Sequence, residues 1–92
     1  MIKSWRHKGL RQFYETGSKA KIQPHHADKL HDIVQALDSA TAPEQMNFPG
    51  LGLHKLSGNH KDFYSVKVNG NWRVIFCFDG KDAILVDYLD YH

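Results

Sequence analysis

An Asn-Gly pair at residues 69–70 constrains the fold more than any other feature of the sequence, because it separates two runs rich in aromatic and β-branched residues. Both residues tolerate the positive φ that a type I′ turn requires. The pair therefore predicts a tight hairpin between strands at residues 63–68 and 71–78.

Neighbouring segments extend this hairpin into a sheet. Asp79-Gly80 predicts a second hairpin turn before a strand at residues 83–88. Upstream, leucines alternate with other residues at 51–56 and predict a first strand. The second half of the chain is therefore expected to form a mainly antiparallel sheet of about four strands.

The first half of the chain shows helical periodicity instead. Leu10, Phe13 and Tyr14 recur at spacings of three and four residues and predict a short helix. A second, longer helix is predicted from Pro24 to about Ser39. Its apolar face comprises Ala27, Leu30, Val34 and Leu37. Because the helices precede the strands, the predicted fold class is α+β, with two N-terminal helices packed on one face of the sheet.

Length and composition indicate one globular domain, residues 1–92, because a second hydrophobic core needs a longer chain. With 41% hydrophobic and 24% charged residues, the chain is expected to fold rather than to be disordered. The single cysteine, Cys77, cannot form an internal disulfide, and no run approaches the roughly 18 apolar residues of a membrane span. The basic residues before Tyr14 have no apolar stretch behind them, so no signal peptide is predicted and a cytoplasmic location is expected.

The net charge of +2 hides an asymmetry between two parts of the chain. Residues 1–30 carry seven Lys and Arg against two acidic residues, whereas residues 31–92 carry five against eight. The N-terminal excess favours a polyanionic partner such as RNA, because neutralised phosphates release counterions. A solvated helix surface explains the same charges equally well.

The hairpin register predicts which side chains share a face of the sheet. A two-residue loop at residues 69–70 pairs Arg73 with Val66, and Trp72 with Lys67. The helix-covered face is then predicted to hold the more apolar set, Trp72, Val74, Phe76, Phe78, Ala83 and Leu85. The opposite face is predicted to hold Arg73, Val66, Ile75, Ile84, Val86 and Tyr88, followed by Asp90 and His92 if the last strand continues.

The uncovered face displays the group of residues with catalytic potential, Arg73 near Asp90-Tyr91-His92. Transfer at phosphorus needs a cation for the phosphoryl oxygens, a base for the nucleophile and an acid for the leaving oxygen. Arg73 suits the phosphate because its planar guanidinium binds two oxygens at once and stays charged. His54 and His92 are candidates for proton transfer, since imidazole titrates near neutrality, and Asp90 can orient or ionise one of them. RNA supplies its own nucleophile, the 2′-OH, so this chemistry requires neither a metal nor a protein nucleophile.

Simpler explanations stay open for each of these residues. Arg73 can be a solvated cross-strand partner of Asp87 or Asp90, and the last three residues can be a frayed tail. His54 can equally be a packed strand residue. No HExxH, CxxC, GxGxxG or GxxxxGK[ST] pattern occurs, so neither a metal site nor a bound cofactor is predicted.

Five short segments, in this order along the whole chain, are similar to those of the HigB toxins within the RelE-like superfamily. They are MIKS at residues 1–4, HKGL at 7–10, LHxL with a following glycine at 53–58, NWR at 71–73 and DYH at 90–92. Each segment is weakly specific alone, whereas the ordered combination is specific. The chain therefore resembles this family over its full length.

The resemblance implies a toxin of a type II toxin-antitoxin system, a ribosome-dependent endoribonuclease that cuts messenger RNA in the decoding site of the 70S ribosome and inhibits translation. The family's functional positions correspond here to His54, Arg73, Asp90, Tyr91 and His92. By this resemblance Arg73 stabilises the phosphate, the histidines and Asp90 move protons, and Tyr91 stacks on a base or steers the 2′-OH. The implied partner is a HigA-type helix-turn-helix antitoxin, and operator DNA is bound only through the toxin-antitoxin complex.

The chain departs from the family in the loop that follows His54. Several relatives carry Lys and Arg there, where this chain has Ser57 and His60. The lysines predicted to contact RNA are Lys55 and Lys61 beside this loop, and Lys19 and Lys21 in the basic N-terminal part. The departure also supports an alternative function, a catalytically silent RNA-binding or protein-binding regulatory module of the same fold.

Overall fold

The computed structural model describes residues 1–91 and contains two helices followed by four strands. The elements are α1 Lys8–Thr16, α2 Ala27–Ser39, β1 His54–Lys55, β2 Tyr64–Asn69, β3 Trp72–Asp79 and β4 Asp82–Asp90. Short 3₁₀ turns occur at Pro24–His26, Pro43–Met46 and Gly58–His60. The strands form one sheet in the order β1-β2-β3-β4, and each neighbouring pair is antiparallel. The predicted α+β class is confirmed, although the predicted first strand is reduced to two residues.

Local signals set the bounds of α1. The His7 side chain accepts a hydrogen bond from Leu10 N at 2.9 Å and so satisfies one of the free N–H groups at the helix start. Gly17 ends the helix at a φ of +81°, a conformation that L side chains rarely adopt. Between these caps, Leu10 and Phe13 turn inward and are buried. The helix is therefore anchored by its ends and by one apolar edge.

The longer helix α2 supplies most of the helical side of the core. Its buried side chains follow helical spacing and are Ala27, Leu30, Ile33, Val34 and Leu37. They pack with the inner side chains of the strands, Val66, Val68, Val74, Phe76, Ala83, Val86 and Tyr88. Burying a side chain of this kind contributes about 1.5–3 kcal/mol, so this layer contact holds the helices on the sheet.

The segment before α1 adds a parallel edge to the sheet, which the sequence did not predict. Ile2 pairs with Ala83 and Trp5 pairs with Val86, both in parallel orientation. Backbone bonds of 2.8 Å run from Lys3 N to Ala83 O and from Arg6 N to Val86 O. β4 is consequently covered on both sides, by β3 and by the N-terminal segment.

A β-bulge in the first hairpin corrects the predicted pairing. The loop begins one residue later than predicted, at Gly70. A register shift between Lys67 and Asn69 then pairs Lys67 with Arg73, where the sequence predicted Val66. Val66 is buried in the core on the helix-covered face, and the prediction that it lies beside Arg73 is wrong.

A second β-bulge changes which face of the sheet the side chains of β4 occupy. The register shifts between Ile75 and Cys77, and Leu85 opposite this shift has a φ of +56°. The extra residue inverts the alternation, so Val86 and Tyr88 are buried in the core rather than displayed on the uncovered face. Leu85, predicted to be inside, is 38% exposed. The other inner residues are as predicted: Trp72, Val74, Phe76, Phe78 and Ala83.

An aromatic cluster, defined as His26, Trp72 and Tyr88, lies behind the end of the sheet where β3 begins. Trp72 and Tyr88 stack with ring centroids 4.7 Å apart, and His26 meets both rings edge-on. His26 Nδ1 lies 2.7 Å from the Tyr88 hydroxyl, which also accepts a hydrogen bond from Gln23 N at 3.4 Å. The cluster packs directly under the strand end that carries Arg73.

The connection from β1 to β2 covers part of the other face of the sheet. The Arg6 guanidinium lies 5.6 Å from the centre of the Phe63 ring, and both residues lie over this face. Ile75 and Cys77 are correspondingly buried although they point away from the helices. The strand ends nearer the first hairpin turn lie outside this cover.

Candidate active site

A groove of about 360 Å³ lies on the sheet face away from the helices, beside the start of β3. It is lined by Gly52, His54, Leu56, Ser65, Lys67, Arg73 and Tyr91. Three of the five predicted catalytic residues belong to this set: His54 from β1, Arg73 from β3 and Tyr91 after β4. Residues far apart in the sequence converge here because the four strands are neighbours in the sheet.

The guanidinium of Arg73 is fixed at the floor of the groove by the first hairpin turn. Its Nη1 donates to Gly70 O at 2.7 Å and to Trp72 O at 3.0 Å. Within residues 1–91 both hydrogen bonds of this side chain come from Nη1, which leaves the edge formed by Nε and Nη2 for a ligand. Along such an edge, the two N–H groups of an arginine can donate to two oxygens of one carboxylate or phosphate.

Lys67 is a second cation in the groove, and sequence analysis missed it. It pairs directly with Arg73 across β2 and β3, so both side chains leave the sheet on the same face. Gly52 approaches the stem of Lys67 closely: a Cβ at Gly52 would lie 3.6 Å from the lysine Cδ and Cε. The signal that could have revealed Lys67 is the hairpin register, which the bulge shifts by one residue.

His54 and Tyr91 line the two sides of the groove. His54 lies in the exposed strand β1 and pairs with Ser65. Tyr91 is 49% exposed, and its backbone N donates to Asn71 O at 2.7 Å, which continues the sheet beyond β4. An imidazole and a phenol ring therefore flank the two cations, and both rings are accessible to a ligand.

The remaining predicted catalytic residues are placed differently. Asp90 pairs with Trp72, so the register puts it beside the aromatic cluster rather than on the face of Arg73, as the sequence predicted. Its carboxylate is exposed. His92 lies outside the described residues. The structure thus brings together His54, Arg73 and Tyr91, and Asp90 precedes Tyr91 in the chain without lining the groove.

The lysines predicted beside the β1–β2 loop do not line the groove. Lys55 pairs with Tyr64, and its ammonium lies 5.8 Å from the centre of the Tyr64 ring. Lys61 is exposed in the connection to β2. Neither takes the position of a second cation next to Arg73.

Lys19 and Lys21 lie between α1 and α2, also away from the groove-lining residues. Both are exposed.

Three buried titratable groups outside the lining of the groove have shifted pKa values. Burial raises the pKa of the Cys77 thiol, and the neighbouring Asp62 carboxylate raises it further. Burial also raises the pKa of Tyr88 and lowers the pKa of His26, whose charged form is further disfavoured by His25 and Lys29. Cys77 is therefore a poor nucleophile, because the thiolate is the reactive form.

Residues 3–92 match the protein family described as the RelE-like toxin of the type II toxin-antitoxin system HigB. The chain belongs to this family. The HigB-like toxin is similar to the endoribonuclease HigB of Proteus vulgaris, with 38% identity over 92 residues that span all of both chains. It is also similar to the toxin HigB-1 of Vibrio cholerae serotype O1, with 34% identity over 95 residues that span all of this chain and 98% of the relative.

These matches confirm the predicted family and the prediction of a type II toxin. A type II system includes an antitoxin, so an antitoxin partner is confirmed at that level. No helix within residues 1–91 is long and apolar enough to cross a membrane. In the same part of the chain, no group of three or more His, Cys, Asp or Glu side chains is placed to hold a metal ion.

Proposed function

We propose that this HigB-like toxin is an endoribonuclease that cuts messenger RNA in the decoding site of the ribosome and so inhibits translation. The observation that carries the proposal is the convergence of His54, Arg73 and Tyr91 on one groove from three separate parts of the sheet. The name of the Proteus relative, an endoribonuclease, supports the same class of reaction.

The reaction is a transfer at phosphorus in which RNA supplies the nucleophile. The 2′-oxygen attacks the adjacent phosphorus, the bond from phosphorus to the 5′-oxygen breaks, and a 2′,3′-cyclic phosphate and a 5′-OH are formed. A base removes the 2′-OH proton, and an acid donates a proton to the leaving 5′-oxygen. No metal or organic cofactor enters this scheme.

The groove residues His54, Arg73 and Tyr91 suit these roles, and Asp90, which is not among the groove-lining residues, and His92, which lies outside the described residues, are proposed to assist them. Arg73 stabilises the charge on the non-bridging oxygens through its Nε and Nη2 edge. His54 and His92 are the proposed proton carriers, and Asp90 is proposed to orient or ionise one of them. Tyr91, exposed at the rim, stacks on a base or steers the 2′-OH.

The ribosome has a physical role in this scheme. Within residues 1–91, the groove is open to solvent at the exposed His54 and Tyr91. Holding the message in the decoding site supplies the near-attack geometry that the protein alone lacks. The exposed lysines Lys19, Lys21 and Lys61 are proposed to contact ribosomal RNA, and Lys55 is the weakest candidate because it lies over Tyr64.

The proposed partner is a HigA-type helix-turn-helix antitoxin, and the proposed location is the cytoplasm, where translation takes place. We infer that operator DNA is bound only through the complex of toxin and antitoxin. Support for the antitoxin comes from family membership, since the family is defined as the toxin half of a two-protein system.

The experiment that tests the proposal is cleavage of a defined message on purified 70S ribosomes. Wild-type protein is expected to produce discrete cuts within translated codons, Arg73→Ala is expected to produce almost none, and naked transcript is expected to be cut poorly. A folded wild-type protein that leaves the translated message intact contradicts the proposal. If that protein still binds ribosomes, the silent RNA-binding module is the correct alternative.

A further inference from the structure

Two cations, Lys67 and Arg73, lie opposite each other in the groove. No ion pair within residues 1–91 joins Lys67 or Arg73 to an acidic group, and none of the groove-lining residues is acidic. Arg6, a third cation on this face, has a different environment, because it lies 3.9 Å from Asp87 and stacks over Phe63. The positive charge is thus concentrated in the groove.

Placing these two cations opposite each other has a cost. Like charges directly opposite in an antiparallel pair destabilise the sheet, with Cβ atoms about 4.5–5.5 Å apart. Lys67 is nevertheless held in place: its backbone N donates to Leu51 O at 2.7 Å, and its stem lies against Gly52. Two like charges that the fold holds opposite each other suit the binding of an anion.

The direct pairing of Lys67 with Arg73 suits the binding of one phosphodiester. The two non-bridging oxygens of a phosphate can each accept a hydrogen bond from a different cation when the side chains start from directly opposite positions. Arginine then supplies a planar fork, and lysine supplies a compact point charge. The alternative lysines lie elsewhere, since Lys55 lies over Tyr64 and Lys61 is outside the lining of the groove.

We propose that Lys67 is a phosphate-binding residue of the active site and that it holds the scissile phosphate together with Arg73. The proposal rests on the proposed endoribonuclease function and adds the second cation of that site. In this chain Lys67, on β2, supplies the positive charge that the loop residues Ser57 and His60 do not.

The test is single-turnover cleavage on programmed ribosomes with three lysine variants. Lys67→Met keeps the methylene stem against Gly52 but removes the charge, and it is expected to slow cleavage about 10- to 100-fold, the effect of one hydrogen bond to a charged group. Lys67→Arg is expected to stay within about threefold of wild type, because the charge is restored. Lys81→Met, which removes an exposed lysine from the β3–β4 turn, is the matched control and is expected to cleave as wild type does.

Two further measurements separate a binding role from a structural one. The melting temperature of Lys67→Met should be no lower than that of wild type, since the change removes a repulsion. The double variant Lys67→Met with Arg73→Lys should lose less activity than the product of the two single losses, because both residues act on one phosphate.

The outcomes distinguish this proposal from the one on which it rests. Wild-type protein that does not cut translated messages refutes the endoribonuclease function and, with it, the role of Lys67. Active wild-type protein with equally active Lys67→Met refutes the role of Lys67 alone. Losses that multiply in the double variant refute the shared phosphate.

Discussion

The two sides of the sheet at the start of β3 differ in nearly every physical property. On one side is the groove, with an exposed Tyr91 and two cations that no acidic group neutralises within residues 1–91. On the other side is the aromatic cluster, in which His26 is only 2% exposed and its ring bonds to the Tyr88 hydroxyl. Only the thickness of one strand separates them, because Trp72 and Arg73 are consecutive residues.

This contrast indicates that adjacent residues of β3 have different roles, one in stability and one in the groove. Alternation along a strand sends Trp72 into the cluster and Arg73 into the groove. The Trp72 carbonyl, which belongs to the buried side, also accepts a hydrogen bond from Arg73 Nη1 at 3.0 Å. The cluster should therefore govern stability and the groove should govern cleavage, with this one backbone carbonyl as their direct link.

The largest expected effect comes from removing the indole of the cluster. Trp72→Ala should lower the free energy of unfolding by about 3 kcal/mol, the lower end of the range for Trp truncation, because Trp72 is only half-buried. Trp72→Phe, which keeps a ring against Tyr88, should lose markedly less. Denaturant unfolding measures both, and equal stability of Trp72→Ala and wild type would show that the cluster has no structural role.

Removing the Arg73 side chain from the groove should slow cleavage and leave stability nearly unchanged. Arg73→Ala is expected to slow single-turnover cleavage at least ~100-fold, equivalent to about 2.7 kcal/mol of transition-state stabilisation. Its free energy of unfolding should stay within about 1 kcal/mol of wild type. Arg73→Lys should also lose activity, because a point charge does not reproduce the bidentate fork. A wild-type rate of cleavage by either variant would contradict the assignment of cleavage to the groove.

A single hydroxyl provides a finer test of the cluster. Tyr88→Phe leaves a buried histidine nitrogen without its partner and should cost about 1–2 kcal/mol of stability. Tyr14→Phe is the matched control, since the Tyr14 hydroxyl makes only a 3.4 Å bond to Asp38 at a partly buried position. Thermal unfolding of the two variants should rank Tyr88→Phe as the less stable, and the reverse order would contradict the assignment.

The smallest expected effect is a pH dependence that belongs to the cluster. Burial lowers the pKa of His26 in the folded state, so the unfolded chain, with a reference pKa of about 6.5, binds more protons below that pH. Stability from this residue is complete above about pH 6.5 and declines as the pH falls through the folded pKa. His26→Gln should flatten the dependence of unfolding free energy on pH below about pH 6.5. Identical pH profiles for this variant and the wild type would exclude His26 as the source.

Much of this contrast was predictable from the sequence, and the reason is periodicity. The helical spacing of Leu30, Val34 and Leu37 identified the buried face of α2, and strand alternation correctly placed Trp72 inside and Arg73 outside. These patterns persist over several residues, so one irregularity does not erase them. The chemistry of imidazole made His54 a candidate, and family resemblance assigned a role to Tyr91; the groove contains both residues.

The errors arise where one residue breaks the alternation. Val86 and Tyr88 were assigned to the wrong face because of the bulge at Leu85. This bulge requires a positive φ, which an aliphatic residue rarely adopts, so the sequence gives no sign of it. Lys67 was missed because the first hairpin loop begins one residue later than the Asn-Gly pair suggests. The parallel N-terminal edge went unpredicted because pairing between segments so distant has no local pattern.

That N-terminal edge sets the order of events when the protein is made. Ser4 and Leu85, which share a hydrogen bond, are 81 positions apart in the chain. Strand β4, to which the first residues attach and after which Tyr91 follows, leaves a translating ribosome long after those first residues. The sheet cannot close, and the groove cannot acquire Tyr91, until synthesis of this stretch is finished. The N-terminal edge and the groove are therefore late events, in which a newly made strand joins a segment that was made long before it.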